Sequence, residues 1–420
     1  MTTPQADVVI IGGGIAGLAC ATHLHRSGTS FLLLEASDRL GGRLRTDRVE
    51  GFLLDRGFQV LLASYPDAQR LLDLEALDLH ELYPGALVWA EGRLHRVADP
   101  FRRPLDAIAA ARSPIAGWRD YRALARLRAR TKVTSNEQLL ARRETTALET
   151  LRECGLSERI TERFFRPFLA GVFLDPQLET SSRMLDFVLR MFATGFAALP
   201  AGGMESIPAQ LAESLPASAL RLHARVEKVE GTALTLADER IEARAVVVAT
   251  DGREAARLLA GRVREPEPRG MTCLYFAAPT APVKGPLLVL DGERSGPVNN
   301  LCVVSEVAPS YAPSGAALVS ACVLGVPEHD DAQLEQDVRA QLSTWFGSEV
   351  ASWRHLRTYR IPEALPSTAP PALELADRAV RVAPGLFVCG DHRDTASIQG
   401  ALASGRRAAQ AAAEELRRSR

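Results

Sequence analysis

Along the chain the spacing of apolar and polar positions changes several times, and each change marks an element. Asp7 is followed by a wholly apolar run to Ile11, the pattern of a parallel strand buried on both faces. After a glycine cluster, helical spacing runs from Ile15 to Ser27 and stops at Gly28. Thr29 to Leu34 is a second strand-like run, closed by Glu35, so residues 1–35 predict a βαβ unit.

Further on, the pattern turns helical. Pro100 to Ala141 interleaves Arg with apolar and aromatic residues, among them Phe101, Ile108, Ile115, Trp118, Tyr121, Leu124 and Leu127. Glu162 to Met191 is helical in spacing and rich in phenylalanine: Phe164, Phe165, Phe168, Phe173 and Phe187. A turn at Pro200 to Met204 leads into a helix ending near Leu215. Leu220 to Val229 and Thr232 to Leu236 are strand-like, and Ala245 to Thr250 is a buried strand. Met271–Ala277, Leu287–Leu290, Leu301–Val307 and Ala317–Leu324 read as strands between Gly/Pro turns. Gln333 to Phe346 predicts an amphipathic helix, and Ile361 to Pro371 a Pro-rich connector. Leu386 leads a last strand into Gly390, and a final helix starts near Ile398.

Nucleotide-type elements therefore stand at the start, middle and end of the chain. The fold class expected is α/β: a discontinuous Rossmann-like cofactor domain with a mixed sheet-plus-helix substrate domain inserted into it. The cofactor domain is expected from 1–100, 197–265 and 375–420, and the substrate domain from 101–196 and 266–374. There is no internal repeat.

Gly12-Gly13-Gly14-Ile15-Ala16-Gly17 satisfies G-x-G-x-x-G in the context the motif needs, after a strand and at the start of a helix. Gly12 permits the tight turn, Gly14 lets a pyrophosphate approach the backbone, and Gly17 lets helix and strand pack closely. Ile15 and Ala16 bring the helix N-terminus to the phosphates. Glu35 closes the next strand and would accept from ribose hydroxyls, which argues against NADP.

Composition narrows the picture only a little. The chain has 420 residues, 46% hydrophobic and 24% charged, with a net charge of −1, so nothing global attracts nucleic acid. Cys20, Cys154, Cys273, Cys302, Cys322 and Cys389 form no metal-ligand spacing and read as reduced core residues; no metal is expected. Neither a secretory leader nor a long apolar span is evident, so a cytoplasmic protein is expected, with membrane association through 101–130 as an option. That segment carries Arg102, Arg103, Arg112, Arg119, Arg122, Arg126, Arg128 and Arg130 among aromatics. Such a pattern suits docking on an anionic membrane or, alternatively, a solvated helix face.

Glu35-Ala36-Ser37-Asp38-Arg39-Leu40-Gly41-Gly42-Arg43 resembles the second half of the FAD fingerprint of the flavin amine oxidase and phytoene desaturase superfamily. The resemblance implies that Ala36, Arg39, Gly42 and Arg43 lie at the cofactor, with Arg43 approaching the pyrophosphate. Three further segments resemble the same superfamily. Leu54 to Gln59 matches the stretch passing the flavin ring, which implies roles for Gly57, Phe58 and Gln59. Pro200 to Pro208 matches the re-entry turn, with Val226 beyond it at the adenine. Gly385 to Asp391 and Ser397 to Gly405 match the C-terminal FAD motif, which places Gly390 and Asp391 near the ribityl and phosphate region and Ile398 at a helix start by the flavin. Residues 356–388 hold neither Cys nor His, so FAD is expected to be non-covalent.

The superfamily includes amine oxidases, protoporphyrinogen oxidases, carotenoid desaturases and isomerases, and a lipid-binding carrier that uses no flavin. Many amine oxidases carry a Lys in the first substrate-domain strand; here Gly270-Met-Thr-Cys-Leu-Tyr-Phe has none. Tyr275 and Tyr359 are either an aromatic cage or plain strand residues. Phe164, Phe168 and Phe173 offer an apolar surface suited to a polyisoprenoid, or are helix core. The expected activity is hydride transfer from an apolar, isoprenoid- or carotenoid-like substrate to FAD. An amine or protoporphyrinogen-type oxidase and a non-catalytic carrier are the alternatives. No catalytic residue is assigned, and quinone or oxygen is left open as electron acceptor.

Overall fold

The computed structural model describes residues 6–105, 113–132, 138–139, 141–372, 374 and 378–418. Ile108 and Arg112 of the basic-aromatic segment lie outside them.

Val8–Ile11 is the centre of a six-stranded sheet because it is apolar on both faces and fully enclosed. Phe31–Leu34 pairs with it in parallel on one side and Ala245–Val248 on the other. Leu220–Arg221 extends one edge, Leu386–Val388 the other, and Arg381–Ala383 closes that edge antiparallel. Strands from three distant parts of the sequence thus make one doubly wound sheet. The helices Ile15–Arg26 and Ile398–Arg418 cover one face. They cross closely because the second carries glycine at the crossing: a Cβ on Gly405 would overlap the Ala16 carbonyl oxygen.

A second, seven-stranded sheet runs in the order Arg354–Pro366, Pro268–Ala278, Ala317–Leu324, Val298–Val303, Leu288–Asp291, Gly85–Ala90, Arg93–Ala98. Its membership moves the expected boundary at residue 100. Gly85–Ala90 pairs in parallel with Leu288–Asp291, so 85–98 is built into the substrate sheet rather than the cofactor sheet. One face of this sheet packs on the helix Asp331–Phe346 through Leu274, Phe276, Val338 and Leu342. The other face looks toward the cofactor sheet.

Several elements differ from the sequence pattern for local reasons. Asp330 accepts from Gln333 N at 2.8 Å, so its helix begins at Asp331 rather than Gln333. The strand Arg354–Pro366 runs through most of the expected Pro-rich connector, as an edge strand, where a missing N–H is tolerated. The run 301–307 splits into a strand ending at Val303 and a helical turn Val304–Val307. The Phe-rich stretch is not one helix. It holds a π-helical turn Thr161–Phe165, a helix Arg166–Phe173 and a helix Ser182–Thr194, separated at Leu174 with φ 53°. In the basic segment the described helix is Trp118–Lys132. Among the described residues no helix is long and apolar enough to cross a membrane, and no cluster of His, Cys, Asp or Glu is placed to hold a metal ion.

Candidate active site

The turn after Val8–Ile11 stands at the carboxyl edge of the parallel sheet, between two neighbouring strands. In such sheets ligands bind there. Its three motif glycines do different work. Gly12 has φ 106°, and a Cβ would stand 2.8 Å from the Ala249 carbonyl oxygen. A Cβ on Gly17 would overlap the Gly12 carbonyl oxygen. Both are therefore required for packing. At Gly14 the nearest atom to an added Cβ is Gly42 Cα, at 3.9 Å, so its bare backbone opens onto a cavity.

That cavity, about 750 Å³, reaches from the glycine turn into the space between the two sheets. Its cofactor end is lined by Gly12, Gly14, Ile15, Ala16, Glu35, Ala36, Gly42, Arg43, Phe58, Gln59, Val226, Gly390, Asp391 and Ile398. Four chain segments far apart in sequence are thereby brought together. Glu35 braces the turn: Oε2 accepts from Gly13 N at 2.7 Å, and Oε1 accepts from Ser37 N and Oγ at 2.8 and 2.6 Å. A carboxylate offers about four acceptor positions, so room for a ribose hydroxyl remains.

Arg43 donates to Asp391 Oδ1 at 2.7 Å and to the Ala364 carbonyl at 2.8 Å. Burial opposes its charge, and the Asp391 carboxylate more than offsets this, so the guanidinium is held firmly protonated. The remaining N–H groups suit phosphate oxygens. Gln59 donates to the Arg43 carbonyl at 3.2 Å, while its Oε1 is buried without a partner in the protein. An orphaned acceptor beside an open glycine backbone and a helix start fits a bound dinucleotide with an N–H-bearing ring. Cys389 does not line the cavity. It is fully buried and its thiol is pushed up to about 12 by burial, so no covalent handle is presented.

Some expected site residues are placed elsewhere. Arg39 turns away from the cavity to Asp47 at 2.7 Å and Glu205 at 3.2 Å, where it pins the loop to the hairpin Thr46–Asp55. Gly57, with φ 90°, supports the wall from behind: a Cβ would stand 2.9 Å from Ile361 Cδ1 and 3.1 Å from Met271 Sδ. Tyr275 and Tyr359 meet edge to face at 6.0 Å but neither lines the cavity. Tyr275 donates to the Asp55 carbonyl at 2.9 Å, and Tyr359 to Asp47 Oδ2 at 2.8 Å. They are strand residues that tie sheet to hairpin, and no amine cage is formed. His392 is half-buried, and desolvation lowers it to about 4, so it stays neutral; it does not line the cavity.

The far end of the cavity is apolar. Phe164, Phe168 and Phe173 line it as expected. Phe164 stacks on Phe168 at 5.7 Å, and Phe168 meets Phe192 at 5.5 Å. The π-helical turn ending at Phe165 carries Phe164 and Phe165 to the wall; π-turns are frequent at functional sites. Leu288 and Leu290 form part of the sheet floor. The sequence pattern gave no pocket role to Met271, Phe192, Asn300 or Asp99, and it placed Arg102 and Arg128 in the basic-aromatic segment rather than at the cavity. At Asn300 a signal was present: two asparagines inside an otherwise apolar strand, where Asn is disfavoured.

The rim carries both charge and exposed apolar surface. Arg128 pairs with Asp99 at 2.8 Å and stands over the Phe101 ring at 4.6 Å. Arg102 pairs with Glu81 at 2.6 Å. Phe101, which lines the cavity, is exposed, as are Leu105 and Trp118, which do not line it. Arg119, Arg122 and Arg126 share the exposed face of the helix and form no ion pair with a described residue.

The family model for flavin containing amine oxidoreductase matches residues 15–413. Coproporphyrinogen III oxidase of Propionibacterium freudenreichii subsp. freudenreichii is 35% identical over 81 residues, 19% of this chain and 15% of that protein. Amine oxidase [flavin-containing] B of Sus scrofa is 36% identical over 115 residues, 26% of this chain and 21% of that protein. The matched segments thus span less than a quarter of either relative. A solved structure from Exiguobacterium sp. 255-15, provisionally designated a protoporphyrinogen oxidase, superposes with a TM-score of 0.74 at 21% identity, covering 99% of this chain and 100% of that one. The chain belongs to the flavin-containing amine oxidoreductase family.

Proposed function

We propose that this family member is an FAD-dependent oxidoreductase for a long apolar, isoprenoid- or carotenoid-like molecule, taken up from a membrane surface at the cavity rim. The observation that carries this reading is the aromatic and aliphatic far end of the cavity, continuous with the cofactor end. Bound flavin supplies the hydride acceptor. The protein's part is orientation and dryness: stacked phenylalanines fix a chain laterally and exclude water from it. Gln59 and Arg43 hold the cofactor end through side-chain hydrogen bonds. Neutral His392 stands away from the cavity, and no general base is assigned.

The exposed Phe101, Leu105 and Trp118, with Arg119, Arg122 and Arg126, which pair with no described residue, suit an anionic lipid surface. This face would bring a lipid-dissolved substrate to the opening. Electron acceptors of the quinone or oxygen class both suit a site with this exposure.

The test is a substrate panel on purified, flavin-loaded protein with liposomes. A bleached flavin spectrum together with a shifted polyene absorption is expected with phytoene or related polyenes. Bleaching by an amine or porphyrinogen panel, and by no polyene, would overturn the proposal in favour of the second reading. That second reading, an amine or porphyrinogen oxidase, draws on the two relatives above. The absent Lys in Pro268–Ala278 and the absent tyrosine cage weigh against its amine branch.

A further inference from the structure

The floor of the cavity's apolar end holds one polar side chain in an unusual state. Asn300 is 5% exposed and lies on Val298–Val303, with Leu290 opposite it on one neighbouring strand and Cys322 on the other. Phe164, Phe168, Leu288 and Gly171 surround this part of the lining.

The orientation of its amide follows from its neighbours. Asn299 Nδ2 lies 2.9 Å from the Pro167 carbonyl oxygen, which can only accept. That contact fixes which end of the Asn299 amide is nitrogen. The same Nδ2 lies 2.9 Å from the Asn300 side chain, so Asn300 must present its oxygen there. Its NH2 therefore points the other way. No protein acceptor meets that NH2 among the described residues, and Asn300 lines the cavity. The nitrogen is not among the fully enclosed side-chain atoms left without a partner, so it opens onto the cavity, where a ligand oxygen or a water can accept from it.

We propose that Asn300 is a substrate-binding residue that donates a hydrogen bond to an oxygen acceptor on an otherwise apolar substrate. This rests on the apolar-substrate reading above and narrows it: within that class the site favours a polyisoprenoid bearing a carbonyl, carboxylate or ether oxygen over the matching bare hydrocarbon. Position adds a second constraint. Asn300, Cys322 and Cys273 occupy one rung of the sheet. Asn300 is thus two strand spacings, about 10 Å, from the Pro268–Ala278 strand whose Met271 lines the cavity beside Phe58 and Gln59. The oxygen is held several bonds away from the reacting carbon. Asn300 sets register along the chain and takes no part in hydride transfer.

The experiment uses flavin-loaded protein and two matched probes, geranylgeranial and the C20 hydrocarbon lacking its oxygen. Dissociation constants are read from perturbation of the flavin spectrum. Wild type is expected to favour the aldehyde by about tenfold, the worth of one well-placed hydrogen bond. Asn300→Leu is expected to erase that preference and to leave the hydrocarbon within about threefold. Asn299→Ala keeps the donor but frees the amide to rotate, so an intermediate preference is expected even if the leucine variant does not fold. Equal binding of both probes by wild type, or an unchanged preference in Asn300→Leu or in Asn299→Ala, would overturn the role of Asn300 and leave the apolar reading standing. Failure of wild type to bind either probe would overturn both.

Discussion

The two ends of the cavity are made of different material. The cofactor end is built largely from backbone: the open Gly14, the turn held by Gly12 and Gly17, the start of Ile398–Arg418. The substrate end is built from side chains: Phe164, Phe168, Phe192, Leu288, Leu290 and Asn300, contributed by helices and strands that meet only in the folded chain. A backbone site must be spelled with particular residues at particular spacings, because only glycine leaves the peptide bare. A side-chain site needs only volume and polarity, which many sequences supply. The first therefore constrains the cofactor tightly, and the second constrains the substrate loosely.

The sharpest way to break this contrast is within the glycine turn itself. Gly17→Ala places a Cβ against the Gly12 carbonyl, with the Ala249 Cβ also close, so there is little room to relax. It is expected to cost about 4 kcal/mol or more, giving protein that neither binds flavin nor keeps a cooperative thermal transition. Gly14→Ala meets nothing within the protein closer than 3.9 Å. Its apoprotein should melt within about 2 °C of wild-type apoprotein, yet purify colourless. Stoichiometric flavin in Gly14→Ala would show that backbone approach is not what holds the cofactor.

Arg43 is the principal side chain at the backbone end. Removing it in Arg43→Ala leaves Asp391, only 5% exposed, without its cation. A loss of about 3 kcal/mol in denaturant stability is expected, together with flavin loss. Asp391→Asn in the same chain should return most of the stability and none of the flavin. Phe168→Ala, at the other end, should keep full flavin content while weakening polyene binding. If it empties the cofactor end instead, the two ends are not separable.

This division also governs how much was legible in the sequence. The βαβ unit, the discontinuous cofactor sheet and the meeting of Gly12, Glu35, Arg43 and Asp391 were readable, because each rests on a motif with one geometric solution. The assignment of 85–98 was not, since a two-stranded hairpin pattern does not say which sheet it joins. Arg39 and Arg43 look equivalent in sequence, four residues apart in a basic loop. Only the fold places Asp47 beside one and the cavity beside the other. Tyr275 and Tyr359 were drawn toward the cavity by their type, but hydroxyls beside Asp55 and Asp47 take them to the seam. The break at Leu174, with its positive φ, has no composition signal.

The seam itself gives a pH test of comparable size. Asp55 ties three segments together: Oδ1 accepts from Thr46 Oγ1 at 2.6 Å and Met204 N at 2.9 Å, and Oδ2 from Tyr311 at 2.8 Å. Burial raises its pKa from 3.8 to about 6, more than these hydrogen bonds lower it. Because the folded value lies above the unfolded one, the native state binds the extra proton between pH 4 and 6. The stability this group contributes is thus full below about pH 4 and is lost as pH rises through 6, by up to about 3 kcal/mol. Asp55→Asn cannot titrate and should lack this loss. Wild-type minus variant stability, from denaturant melts across pH 4–7, should therefore fall with rising pH; a flat difference would place the proton elsewhere.

The smallest expected effect lies farthest from either end, on the exposed face of Trp118–Lys132. If the rim docks on lipid, Arg119 acts only as a point charge at the surface, worth about 1 kcal/mol against an anionic leaflet. Arg119→Gln should then weaken binding to phosphatidylserine vesicles by about fivefold at low salt and by less at high salt. Thermal stability should stay unchanged, because Arg119 is exposed and forms no ion pair with a described residue. Trp118→Ser, at a side chain 65% exposed, should weaken vesicle binding independently of salt, since it removes apolar insertion rather than charge. The two losses have different salt signatures because the rim, like the cavity behind it, divides its work between charge and apolar surface. A solvated helix face with no lipid role predicts neither loss.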